Sequence, residues 1–172
     1  MKNILASVII AFALTLSAWA TDVTVKISDV HLCCKNCVTG VEKAVGEVHG
    51  VTVSVDKDAG TVSLTGSDAA TVQKAANALV AAGYFGKSSD ANIKIVADTG
   101  AKGTKVQSLQ VKGVHLCCTK CVKAVTEALD PVAGVKGNTA TKGAKSFEVT
   151  GDFNDEDVFS ALHKAGLAGK TE

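Results

Sequence analysis

An α+β chain built from two tandem copies of one βαββαβ unit is what the sequence predicts, each copy an antiparallel sheet with two helices on one face. Three observations predict it. A block of residues returns after about 84 positions, Val30-His31-Leu32-Cys33-Cys34 recurring as Val114-His115-Leu116-Cys117-Cys118. Inside each block, apolar residues alternate with period two and then switch to helical spacing, in the same order both times. Between the blocks, the stretch from about Lys87 to Thr104 is rich in Asp, Gly, Lys and Ser, and residues 89–104 read as a linker.

The match extends beyond the motif. Cys37-Val38 returns as Cys121-Val122, and Val41, Val45 and Val48 return as Val125, Leu129 and Val132. Gly50-Val51 maps onto Gly134-Val135, Thr65-Gly66 onto Thr150-Gly151, and Ala82-Gly83 onto Ala165-Gly166. Domains at 21–88 and 105–172 follow, each within the range of self-folding units.

The elements follow in order. Val23, Val25 and Ile27 alternate with polar residues, so a first strand is expected over Val23–Val30. A helix is expected over Cys37–Val48, with Val38, Val41, Val45 and Val48 on one face. Val122, Val125, Leu129 and Val132 repeat that stripe, and Pro131 marks the end of the helix. A hairpin is expected over Val51–Val55 and Thr61–Thr65, turning at Asp56–Gly60. Asp68 caps a second helix with Val72, Ala75, Ala76 and Leu79 inward, and Asn154 caps its counterpart with Val158, Ala161, Leu162 and Ala165 inward. Gly83 and Gly166 end these helices. Tyr84-Phe85 and Leu167-Ala168 begin the last strands. Ile93, Ile95 and Ala97 alternate inside the linker, so an extra strand pairing with Lys105–Val111 is expected there. This order is the ferredoxin-like split βαβ arrangement.

The chain opens with Met1-Lys2-Asn3, an apolar run from Ile4 to Leu16, and Ala18-Trp19-Ala20. That pattern reads as a secretory signal at residues 1–20, cleaved after Ala20, which places the mature protein in the periplasm or outside the cell. The run is too short to span a bilayer, which takes roughly 20 residues, and no later stretch replaces it. Cleavage removes Lys2 and leaves 17 Lys against 17 acidic residues, with no Arg. A neutral surface argues against nucleic acid as a partner.

All six Cys lie in two clusters of three, within five residues each. Disulfide frameworks staple distant segments, so this clustering points to a metal or redox centre instead. The candidate ligands are Cys33, Cys34, Cys37, Cys117, Cys118 and Cys121. Thiolate selects Cu(I) and also suits Zn(II), Hg(II) and Cd(II). A spacing of i, i+3 puts two thiols on one side of a helix start, where the amide groups favour the thiolate. Cys33 and Cys117 read either as third ligands or as small buried hydrophobes at a strand end. His31 and His115 read either as an added imidazole ligand or as surface residues.

Each copy resembles the heavy-metal-associated domain of copper chaperones, copper-pump tails and the periplasmic mercury-binding protein. The family motif is Gly-Met-x-Cys-x-x-Cys, and the matching stretches are His31–Cys37 and His115–Cys121. The resemblance implies that Cys34 with Cys37, and Cys118 with Cys121, hold one soft ion each. It also implies an aromatic near the metal after the second helix; Tyr84 matches, while Leu167 departs. Leu32 and Leu116 stand where the family has Met, a volume-conserving swap. His31 and His115 stand where it has Gly, and Cys33 and Cys117 are extra.

The function expected is capture, sequestration or transfer of soft ions at two tethered sites, without catalysis, with a metal-transport protein as a possible partner. The rivals are a thiol–disulfide protein and an interaction module completed by zinc.

Overall fold

The computed structural model describes residues 22–171. The expected signal at residues 1–20 lies outside them. No helix among the described residues is long and apolar enough to cross a membrane.

Strand β1 (Val23–Ser28) buries Val25 and Ile27 completely. It stops two residues before the expected Val30, because Asp29 takes a left-handed φ of 59°, a conformation Asp tolerates better than branched residues. Helix α1 (Lys35–Gly46) is capped by Cys34, and so starts earlier than the expected Cys37. The hairpin of β2 (Val51–Asp56) and β3 (Thr61–Gly66) forms as expected. The Asp56 carboxylate closes its turn by accepting from the amides of Asp58 and Ala59, both at 3.0 Å. Helix α2 (Ala69–Ala81) buries Val72, Ala75, Ala76 and Leu79, and its cap Asp68 accepts from the Thr71 amide at 2.7 Å. The two-residue β4 (Lys87–Ser88) pairs with β1, giving an antiparallel sheet ordered β2-β3-β1-β4.

The second half follows the same order as far as its second helix: β5 (Lys105–Lys112), α3 (Thr119–Leu129), β6 (Val135–Asn138), β7 (Ser146–Asn154) and α4 (Asp155–Lys164). Its sheet is ordered β5-β7-β6. The place of a fourth strand is held by a bridge in which Lys112 and Lys170 exchange amide hydrogen bonds of 2.8 and 3.0 Å.

Further expectations need correction. Among the described residues Leu167-Ala168 begin no strand, and Leu167 forms only an isolated bridge. The last strand of the first half begins at Lys87 rather than Tyr84, because Tyr84-Phe85 pair with Gly166-Leu167 of the other half. The linker strand does not form among the described residues. Ile93 instead joins the core, and the Gln73 side chain both accepts from the Lys94 amide and donates to the Lys94 carbonyl, each at 2.8 Å. The linker therefore passes α2, where one side chain satisfies both backbone groups of Lys94.

The halves dock through Tyr84 and Leu167, which form an antiparallel bridge. The Phe85 amide donates to the Gly166 carbonyl and the Ala168 amide to the Gly83 carbonyl, both at 3.0 Å. Gly83 and Gly166 end α2 and α4 with φ of 91° and 76°. A Cβ on Gly83 would lie 2.4 Å from the Gly113 oxygen and 2.6 Å from the His115 nitrogen. One on Gly166 would lie 2.4 Å from the Asp29 oxygen and 2.5 Å from the His31 nitrogen. Each helix-ending glycine thus lets the backbone of the other half approach at the same equivalent place. Phe85 also stacks on His163, ring centroids 3.9 Å apart.

Asp155 begins α4, is 4 % exposed, and accepts from the amides of Lys102 and Thr104, both at 2.9 Å. It pins the end of the linker to the helix. Burial pushes its pKa up, but the backbone amides outweigh that and hold it below the ordinary carboxylate range. A depressed folded pKa contributes stability that is present above the unfolded value of about 3.9 and lost as pH falls through the folded one. Asp155→Ala is expected to cost about 1–2 kcal/mol near neutral pH. The deficit should shrink below about pH 4, as read by urea unfolding at several pH values.

Candidate metal centre

The left-handed turn at Asp29 has its counterpart at Gly113, with φ of 77°. Both first strands therefore end before the cysteine motif, which frees Cys33 and Cys117 from the alternation that would send neighbouring side chains to opposite faces. Cys34 and Cys118 cap α1 and α3 in extended backbone, with φ of −159° and −151°. Their carbonyls accept from Cys37 and Val38 in one half and from Cys121 and Val122 in the other. Cys37 and Cys121, in the first helical turns, are fully buried, while the other four thiols are half-buried. All six cysteines are free.

The sulfurs of both halves meet. Cys33 Sγ lies 3.7 Å from Cys37 of its own half, but 3.4 Å from both Cys118 and Cys121 of the other. Cys117 mirrors it, 3.7 Å from Cys121, 3.5 Å from Cys34 and 3.6 Å from Cys37. Cys34 is 3.7 Å from Cys37, and Cys118 is 3.8 Å from Cys121. Cys37 and Cys121 face each other at 3.9 Å. Every one of these separations has a partner under exchange of the halves, so the cluster has approximate two-fold symmetry. The expectation of two tethered trios gives way to one six-sulfur group at the junction. In the second half, Cys117, Cys118 and Cys121 do lie within 4.8 Å of one another, as a trio should. Other such trios mix the halves: Cys34 and Cys37 with Cys117, and Cys33 and Cys34 with Cys118.

The thiols of this group shift one another's pKa values. Cys37 is held down to about 2, chiefly by the hydrogen bond from Cys121, against the cost of burial and with help from His115, Cys117 and Cys33. Cys121 is pushed up in turn by Cys37 and by burial. The two thiols titrate as a coupled pair, so these opposed shifts belong to the pair rather than to either sulfur. Burial and neighbouring thiols also push Cys33 up to about 12 and Cys117 upward. Cys118 is held at about 6. Burial opposes that, and the amides of Cys121 and Lys120 at the start of α3, with Cys33, outweigh it. The expected effect of the helix start is thus present there, and Lys120 contributes through its amide.

His31 places a ring nitrogen within 4.8 Å of Cys33 and Cys121, again across the halves. Both His31 and His115 have a buried Nε2 without a hydrogen-bond partner, so neither is the exposed polar residue of the alternative reading. Burial lowers the His31 pKa, with Cys37 opposing and His115 adding. The His115 ring stacks on Tyr84 at 4.7 Å. Tyr84 is buried and donates its hydroxyl to the Cys37 carbonyl at 2.9 Å.

Sequence reasoning overlooked Gly40. A Cβ there would meet the Tyr84 oxygen at 2.4 Å and His115 Cε1 at 3.0 Å. At the equivalent positions the second half has Ala124 and Leu167. The larger Tyr84 thus goes with the smaller Gly40, a pairing the aligned repeat could have exposed.

Residues 24–85 match the heavy-metal-associated domain model. No curated protein matches the chain. Among solved structures, a copper binding domain from HMA7, a P-type ATPase, is similar at 23% identity, over 39% of this chain and 95% of that one, with a TM-score of 0.36. The N-terminal soluble domains of Bacillus subtilis CopA are similar at 15% identity, over 89% and 95% of the two chains, with a TM-score of 0.32. The first two RRM domains of the yeast poly(U) binding protein Pub1 are similar at 10% identity, over 87% and 97%, with a TM-score of 0.25.

Proposed function

We propose that this chain, whose residues 24–85 form a heavy-metal-associated domain, binds soft metal ions, Cu(I) foremost, and sequesters them or hands them on outside the cytoplasm. The observation that carries the reading is the convergence of six free thiols, 3.4 to 3.9 Å from their neighbours, at the mouths of two helices. Sulfur donors without a carboxylate among them favour Cu(I) over harder ions. The ligands are Cys33, Cys34, Cys37, Cys117, Cys118 and Cys121, with His31 and His115 beside them. Binding releases their remaining protons to solvent.

The role is carriage rather than catalysis. The domains run over 21–88 and 105–172, joined by 89–104. Export rests on the pattern of residues 1–20, and Edman sequencing of the exported protein should begin at Thr21. A metal-transport protein would receive or supply the ion by thiolate exchange.

Competition decides the metal. Anaerobically reduced protein titrated with Cu(I) in the presence of excess Zn(II) should retain copper. The variant with all six Cys changed to Ser should retain none. Retention of zinc instead, with unfolding on chelation, would favour the zinc-completed module.

A further inference from the structure

The geometry points to a single polynuclear Cu(I)–thiolate core that needs both halves, with Cys33 and Cys117 as the sulfurs that join them. This rests on the soft-metal reading above and says how the ions are held.

Spacing favours shared over two-coordinate sites. With metal–sulfur bonds of about 2.3 Å, two sulfurs on one ion stand about 4.6 Å apart in a linear site, about 4.0 Å in a trigonal one and about 3.8 Å in a tetrahedral one. The neighbouring sulfurs here are 3.4 to 3.9 Å apart. All are shorter than the separation in a linear site and lie nearer those of ions held by three or four sulfurs, which the side chains reach by opening a few tenths of an ångström.

The separations close into four triangles: Cys33-Cys118-Cys121, Cys33-Cys37-Cys121, Cys37-Cys117-Cys121 and Cys34-Cys37-Cys117. Each triangle offers three sulfurs to one ion, and each shares an edge with the next. No triangle is drawn from one half alone. Ions on adjacent triangles share thiolates, so the core holds up to four Cu(I) as one unit. Cys37 and Cys121 each belong to three triangles, Cys33 and Cys117 to two, and Cys34 and Cys118 to one.

A pair of independent sites built on Cys34 with Cys37, and on Cys118 with Cys121, would not need Cys33 or Cys117. In the core described here these two make the closest approaches to the other half. Shared thiolates also make loading cooperative, because the first ion gathers sulfurs that the next ones use.

The test is an anaerobic Cu(I) titration of the full mature chain, followed by native mass spectrometry and X-ray absorption. The expected result is a monomer that passes from apo to more than two copper ions with little one-copper species, and a Cu–Cu scattering shell. The double variant Cys33→Ser with Cys117→Ser should lose that shell and fall to two ions or fewer, at least a halving of a four-ion load. Circular dichroism of the apo variant should match the wild type. A wild type that takes one or two ions independently, without Cu–Cu scattering, overturns the shared core and leaves soft-metal binding standing. A double variant that keeps the full load overturns the bridging role. A wild type that binds no Cu(I) overturns the functional reading itself.

Discussion

Replacing Gly83 and Gly166 together by alanine is expected to part the two halves and abolish the shared thiolate group while leaving each half folded. Each glycine has positive φ, which costs alanine about 1 kcal/mol. Each Cβ would also meet backbone at 2.4 Å, and backbone cannot step aside as a flexible side chain can. The contacts at risk are the Tyr84–Leu167 bridge and its flanking hydrogen bonds. Together the two substitutions should weaken docking by more than about 3 kcal/mol. Small-angle scattering should show a larger radius of gyration with unchanged circular dichroism. Copper loading should drop to what each trio holds alone. A scattering profile identical to the wild type would mean that the junction absorbs the added methyls.

The second large effect is expected from Cys37→Ser with Cys121→Ser. These two sulfurs are fully buried, face each other at 3.9 Å, and touch the most neighbours in the group. Replacing them removes a thiolate from every triangle. Loss of outer-shell partners alone costs metal sites roughly 10- to 100-fold in affinity, so loss of central ligands should exceed about 100-fold in competition with a chromophoric Cu(I) chelator. Cys34→Ser with Cys118→Ser should cost clearly less, because those sulfurs lie at the ends of the strip of triangles. Equal losses in the two double variants would contradict the ranking.

Much of this was legible along the chain. Alternation in Val23, Val25 and Ile27 placed β1, the Val41 and Val45 stripe placed α1, and Asp68 and Asn154 marked helix starts that do accept cap hydrogen bonds. These features depend on neighbours a few residues away, which a sequence displays directly. The linker strand at Ile93–Ala97 did not form, because alternation was offset by an unforeseen partner, the Gln73 side chain. Asp155 and Gly40 escaped notice for the same reason. Their roles lie toward residues 102–104 and toward Tyr84, distant in sequence.

Sequence alone determined the order of strands and helices through the second helix of each half, the caps Asp68 and Asn154, and the six candidate sulfurs, since hydrophobic period, capping chemistry and ligand softness are properties of short stretches. Only the tertiary structure decided that six sulfurs form one group rather than two. That depends on backbone-to-backbone approach at Gly83 and Gly166 and on the left-handed turns at Asp29 and Gly113. Distances between residues more than eighty positions apart are set by how whole surfaces fit, and no local pattern encodes them.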